Sequence, residues 1–217
     1  MLPFFISIPH SGEKVPAEAS WLSGLEEPIL MCDVDRFVDD LYRPGIEKLQ
    51  IPSVVAEWHR YVVDLNRLPD DVDASSVTGH PNAAGKFTTG LLWVKTTTGI
   101  QLMPNPISAT LHQSLVQKYF EPFHTQVRAQ YESFKKLGHK TVYHLDAHSM
   151  PSRGTAAHRD PGADRPQIVV QLNSRILLFR LMSVPAFKWP TTGLTKVVVS
   201  LKLMASPKRG SMRSKLS

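Results

Sequence analysis

Ile6-Ser7-Ile8-Pro9-His10-Ser11-Gly12-Glu13 near the start and Tyr143-His144-Leu145-Asp146-Ala147-His148-Ser149 far downstream share one form: an apolar run that stops at a histidine beside a carboxylate. A buried strand delivers side chains to a sheet edge in this way, and imidazole with carboxylate is a donor set for a divalent metal. Arg60-Tyr61-Val62-Val63-Asp64-Leu65-Asn66-Arg67 has the same strand-then-polar-tip form and adds a guanidinium. In open α/β sheets the ligand crevice lies at the carboxyl ends of strands. The three tips therefore predict one crevice holding His10, Arg67 and His148.

The rest of the chain reads as a scaffold for these tips. Residues 4–8 predict a buried strand that Pro9 and Gly12 turn at once. Residues 20–25 read as a loop with a short helical piece. From Pro28, the positions Ile29, Leu30, Val34, Phe37, Val38, Leu41 and Tyr42 fall at helical spacing, and Pro44-Gly45 is expected to end that helix. Residues 51–57 and 61–66 are strand-like, residues 68–87 form a long polar loop, and 90–95 with 100–102 predict a hairpin. The longest periodic segment starts at Ser108 as N-cap and stops at Gly138, with a kink expected at Pro122. Its stripe of Leu111, Leu115, Tyr119, Phe120, Phe123, Val127, Tyr131 and Phe134 predicts core packing. Residues 141–145 predict the next strand, 146–151 and 154–166 loops, and 167–172 one more strand. Short β-branched strands between amphipathic helices indicate an α/β fold with a mostly parallel or mixed sheet.

The chain has 217 residues, of which 42% are apolar and 20% charged, the composition of an ordinary globular protein. No apolar run reaches the roughly 18 to 20 residues of a membrane span. The apolar start lacks a basic leader and runs straight into His10, so a first strand and a cytoplasmic location are expected rather than a signal peptide. A single cysteine, Cys32, excludes an intramolecular disulfide, fits a reducing compartment and reads as a small packed residue. The formal charge of +6 is unevenly placed: residues 165–217 hold ten Lys or Arg and no Asp or Glu, which leaves residues 1–164 at −4. Such a tail supports nonspecific attraction to polyanions; no specific nucleic-acid partner is expected.

His10-x-x-Glu13 could place both side chains on one metal from a tight turn, with His148 closing the set from another strand. Asp33 and Asp35, at the start of the first long helix, are further carboxylate candidates. Catalytic zinc sites take three protein ligands and leave a position for water. Arg67 presents a planar fork suited to an anionic substrate beside a metal. Asp146 either hydrogen-bonds a ligating histidine or shuttles protons. His112 and His124 sit on the long helix and read first as packing residues.

Ser7-Ile8-Pro9-His10-Ser11-Gly12, Asp33-Val34-Asp35, Arg60 through Pro69, and Asp146-Ala147-His148-Ser149 occur in the order and context of the N-formylglutamate amidohydrolase family, which the chain resembles over about residues 4–170. That family is distantly similar to zinc carboxypeptidases and aspartoacylases. The resemblance implies a three-layer α/β/α sandwich, hydrolase-like and similar to the zinc exopeptidases. It implies a divalent metal, zinc first, on His10 and His148 with a third ligand from Glu13, Asp35 or Asp33. It implies Arg60, Asn66 and Arg67 as substrate contacts, Arg67 and Asp146 in catalysis, and hydrolysis of an N-formyl or short N-acyl amide of an acidic amino acid. Past about residue 168 the resemblance stops where acidic residues vanish, and relatives place a general-base glutamate in that later part. Residues 1–170 are thus expected to be an amidohydrolase-like domain incomplete on its C-terminal side, with impaired turnover. Residues 171–217 read as a basic tail from a shifted reading frame or a truncation. Strand edges left unpaired would favour a homo-oligomer. The competing readings are a related deacylase or carboxypeptidase and a noncatalytic module whose basic tail contacts polyanions.

Overall fold

The β-branched and aromatic run Phe4–Ile8 forms β1, buried in all but its first residue. It lies between two parallel partners, β2 (Ser53–Val55) and β3 (Thr141–Pro151). In the computed structural model, which describes residues 2–154, 161–165, 168–172, 175–179 and 195–205, the described strands also include β4 (Ile168–Leu172), β5 (Arg175–Phe179) and β6 (Thr195–Ala205). They make one mixed sheet of order β2-β1-β3-β6-β4-β5, with β3 antiparallel to β6 and β4 parallel to β6. The expected strand at 167–172 is β4. Of the tail read as 171–217, only the backbone of these strands is described; its remainder lies outside the described residues.

Alternation along β1 and β3 splits their side chains between two faces. Ile6, Ile8, Leu145 and Ala147 pack with Val38, Tyr42 and Ile46 of α2 (Val38–Leu49). On the other face Phe5 and Val142 pack with Tyr131 and Phe134 of α4 (Glu121–Lys136). A larger cluster joins Tyr61 to Val63, Leu91 to Trp93 and the stripe Leu115, Tyr119, Phe120 and Phe123. These three clusters bring the ends of β1 and β3 beside residues 60–67.

The long helical segment begins as its cap chemistry requires, with the Ser108 hydroxyl accepting from the Leu111 N–H at 3.2 Å. It stops at Gly138, whose φ of 87° suits glycine and whose N–H donates to Lys135 O. Ahead of Pro122, where the sequence predicts a kink, there is a π-helical turn, Val116–Phe120, between α3 (Ala109–Leu115) and α4. Proline lacks an N–H, and its ring crowds the preceding turn. The wider turn lies immediately ahead of it.

Three local expectations are corrected. The helix foreseen from Pro28 is split into α1 (Glu27–Leu30) and α2, and α2 runs through Pro44 to Leu49. The break falls at 31–37 because tertiary contacts claim that backbone. The Asp33 carboxylate accepts from Tyr61 Oη at 2.6 Å and from Thr97 N at 3.0 Å, and Asp35 N donates to His10 O at 3.0 Å. Residues 61–66 do not form a strand. They are buried turns closed by Val62 N to His59 O and Asp64 N to Leu91 O, so their β-branched composition reports burial rather than pairing. Residues 146–151, expected as loop, continue β3.

His59 anchors the entry to that buried turn with a fixed tautomer. Its Nε2–H donates to Leu30 O at 2.9 Å, and its Nδ1 accepts from Tyr61 N at 3.0 Å. Burial is the largest influence on the ring and lowers its pKa to about 4 from 6.5. The unfolded chain therefore binds the proton more readily. His59 contributes stability that is complete above pH 6.5 and is lost as pH falls toward 4, about 3 kcal/mol over that window. Urea titrations of wild type and His59→Gln from pH 4 to 7 check this: the wild-type slope with pH should flatten in the variant. Parallel curves would contradict it.

Candidate metal centre

His10 leaves the end of β1, His148 lies on β3, and Asp35 sits between α1 and α2, tied to the first by its backbone bond to His10 O. Among the described residues, one ligand atom from each of the three lies within 4.8 Å of the other two. Asp35 Oδ2 is the shared point, 2.9 Å from His148 Nδ1 and 3.5 Å from His10 Nδ1. The Ser149 hydroxyl donates to Asp35 Oδ1 at 3.2 Å and keeps Oδ2 turned to the imidazoles. Burial alone would raise the Asp35 carboxyl, but hydrogen bonds from His10 and His148 outweigh it and hold the group well below the carboxylate range. Burial would lower His148; Asp146 and Asp35 overcome that and push it up to about 9.

Behind each imidazole stands a second carboxylate. His10 Nε2 donates to Asp64 Oδ1 at 2.8 Å, and His148 Nε2 lies 3.3 Å from Asp146 Oδ2. Each ring thus shows Nδ1 to Asp35 and Nε2 to its own aspartate, the arrangement that fixes a tautomer and orients a metal-binding histidine. Asp64 is fully buried and held on all sides, accepting also from Asn66 N at 2.9 Å, Arg60 Nη2 at 2.8 Å and the Trp93 indole at 2.9 Å.

The remaining expected residues divide. Glu13 lies apart from this cluster: past Gly12 the chain runs extended beside 57–58, with Lys14 bridged to Trp58, and the Glu13 carboxylate pairs with Arg36 at 3.0 Å. A Cβ at Gly12 would meet the Glu57 and Trp58 backbone at 2.5 Å, so glycine is what lets the two segments run this close. Asp33 is committed to Tyr61 and Thr97. Arg60 has a side chain only 12% exposed, bonded to Asp64 and to Asp33 O and stacked over Trp93 at 4.5 Å, so it reaches the site through Asp64. Asn66 is exposed, its amide 3.1 Å from His148 Nε2. Arg67 is oriented by Thr89 O at 3.0 Å and Asn66 O at 3.2 Å. Of the two helix histidines, His112 faces Pro69 O and His124 faces Leu65 O.

The sequence profile of the N-formylglutamate amidohydrolase family matches residues 2–178. The chain belongs to this family. It is 29% identical over 154 residues to an N-formylglutamate deformylase of Pseudomonas putida and 28% identical over 155 residues to one of Pseudomonas aeruginosa, covering 70% of this chain and 53% of each relative. The chain thus spans about half the length of the curated relatives it matches. Among solved structures it is similar to an N-formylglutamate amidohydrolase from Ralstonia eutropha, at TM-score 0.59 and 25% identity over 70% of this chain and 55% of that one. A gene product of Agrobacterium tumefaciens, 18% identical at TM-score 0.59 over 79% of this chain and 59% of that one, shares the fold. The family match runs eight residues beyond the boundary read at 170.

Within this N-formylglutamate amidohydrolase fold the donor chemistry fits a divalent ion. Three fully or nearly buried carboxylates, Asp35, Asp64 and Asp146, stand around the two imidazoles. Oxygen and nitrogen donors of this kind suit a divalent cation. Sequence reasoning gave Asp64 no role of its own. An aspartate set among Val62, Val63 and Leu65 was the available signal, since a carboxylate inside a buried run needs partners. Ser7, His144 and Tyr131 were also missed. They converge only through the register of β1 on β3, which no local pattern encodes. No helix among the described residues is long and apolar enough to cross a membrane.

Proposed function

We propose that the chain is a metal-dependent amidohydrolase of the zinc-exopeptidase-like three-layer type, acting on the amide bond of an N-formyl or short N-acyl acidic amino acid such as N-formyl-L-glutamate. The observation that carries this reading is the convergence of His10, Asp35 and His148 on one point, each imidazole backed by its own carboxylate. A divalent ion there, zinc first, would supply Lewis-acid polarisation of the amide carbonyl and activation of water.

The chain's own residues do the rest. Asp64 and Asp146 hold the two imidazoles so that Nδ1 of each is turned to Asp35, where it would give up its proton to take an ion. Arg67, braced by Thr89 O and Asn66 O, offers its remaining N–H groups to a substrate carboxylate. Asn66 stands beside His148 with an amide suited to a carbonyl or carboxylate oxygen. Arg60 supports Asp64. Residues 1–170 form the domain that carries these groups, in a cytoplasmic setting, and the basic tail read as 171–217, past the family match at 178, derives from a shifted reading frame or a truncation. The support for that last point is a run of 53 residues, 165–217, without Asp or Glu. A family-like continuation in an alternative frame of the resequenced gene is the expected finding, and its absence counts against the idea.

Elemental analysis of the purified chain should find about one equivalent of divalent metal, lost in His148→Ala. Formate release from N-formyl-L-glutamate, compared with release from N-acetyl-L-glutamate and a C-terminal peptide substrate, then separates the deformylase from the related deacylase and carboxypeptidase. Metal bound without any hydrolysis would mean that the ligand set survives in a chain that does not turn over. No metal bound would defeat the reading.

A further inference from the structure

A chain of buried polar side chains runs from the candidate metal centre into the apolar layer under α4, and the proposed hydrolytic step does not use it. The parallel register of β1 on β3 sets Ser7 opposite Asp146 and Phe5 opposite His144. The Ser7 hydroxyl lies 2.6 Å from Asp146 Oδ1, His144 Nε2 lies 2.7 Å from Ser7 Oγ, and Tyr131 Oη of α4 lies 2.8 Å from His144 Nδ1. All four residues are buried. His144 is stacked on Phe5 at 4.2 Å, and Tyr131 meets Phe5 edge-on at 4.9 Å.

Donor and acceptor counting gives the Asp146 end of this chain one direction. An ionised Asp146 only accepts, so the single Ser7 hydroxyl proton goes to Asp146. Ser7 Oγ then accepts from His144 Nε2–H, and the Tyr131 hydroxyl meets Nδ1 of the same ring. The two bonds nearest Asp146 point toward it. With Oδ1 anchored by Ser7, the carboxylate plane is set and Oδ2 is presented to His148 Nε2, 3.3 Å away. That contact sets the orientation of the His148 ring, whose Nδ1 faces Asp35. An apolar layer would pack on Phe5, Phe134 and Val142 without such a network, and a buried network is tolerated only when each member is satisfied.

We propose that Ser7, His144 and Tyr131 are positioning residues for the metal ligand His148, acting through Asp146. The proposal rests on the reading of His10, Asp35 and His148 as a metal site. Tyr131 is three hydrogen bonds from Asp146, so Tyr131→Phe changes the network while keeping the ring that packs on Phe5.

The test measures zinc affinity by competition with a chromophoric chelator, and the visible absorption of the cobalt(II)-loaded full chain, for wild type, Ser7→Ala, Ser7→Thr and Tyr131→Phe. Thermal melts of the metal-free proteins are recorded beside them. Removing groups that orient a ligating histidine typically costs about 10- to 100-fold in metal affinity. Ser7→Ala should fall in that range with an altered cobalt spectrum, Ser7→Thr should restore both because its hydroxyl is retained, and Tyr131→Phe should weaken binding less than Ser7→Ala. If Ser7→Ala and Tyr131→Phe bind zinc as tightly as wild type with an unchanged spectrum, whatever their melting temperatures, the network is structural only and the proposal is overturned. If wild type itself binds neither ion, the metal reading fails and takes this proposal with it, which the wild-type titration alone reveals.

Discussion

Asp64→Ala should destabilise the metal-free chain by about 3 to 5 kcal/mol, the cost typical of removing one partner from a buried ion pair. Each Asp64 oxygen carries two bonds, Oδ1 from His10 Nε2 and Asn66 N, Oδ2 from Arg60 Nη2 and the Trp93 indole. Burial would raise this carboxyl, but His10 and Arg60 outweigh it and hold it well below the carboxylate range. Alanine would leave a guanidinium stacked on Trp93 with one remaining oxygen partner, Asp33 O, and would strand an indole N–H, a backbone N–H and an imidazole. Whole domains are stable by only about 5 to 15 kcal/mol, so this single change should bring the protein near its unfolding threshold. Asp64→Asn keeps the volume but has one acceptor oxygen for four donors, and should lie between alanine and wild type. Urea unfolding of the three proteins in chelator checks the order. An alanine variant within about 1 kcal/mol of wild type would mean that water replaces the carboxylate and that the site is far wetter than its burial indicates.

Where one periodicity dominates, the sequence was readable. Phe4 to Ile8 is apolar but for Ser7 and became β1, paired along both edges, and the segment from Ser108 to Gly138 carried its own cap, stripe and stop. The 61–66 segment misled because β-branched residues report burial, and a strand and a buried turn bury them equally. What separates the two is whether a neighbouring strand takes the backbone N–H groups; here Leu91 O and His59 O take them instead. The helix break at 31–37 was hidden for a related reason. Its helical spacing is real, but Asp33 and Asp35 are claimed by Tyr61, Thr97 and His10, residues that sequence order places well away. The two histidines of the site were legible as strand-end residues beside carboxylates. Their supporting aspartates were legible only as residues, because the partners of Asp64 and Asp146 are set by the packing of 60–67 and by the β1–β3 register.

The third ligand is the point at which sequence left alternatives open, and a pair of substitutions separates them. Asp35→Asn should lower zinc affinity more than about 100-fold, exceeding the effect expected for groups that only orient a ligand. Glu13→Gln should leave affinity unchanged. Among the described residues, Asp35 Oδ2 is the carboxylate oxygen shared by both Nδ1 atoms, and losing its charge removes an anionic donor from the ion. Glu13 is held outward by Arg36, which also binds Glu27 at 2.9 Å, and the extended run past Gly12 gives it no path back. Because Asp35 also bridges the two imidazoles, its loss alters the metal-free protein too, so affinities should be measured by competition at a temperature where both variants are folded. If Glu13→Gln weakens zinc as much as Asp35→Asn does, residues 10–13 rearrange into a His-x-x-Glu turn when metal binds.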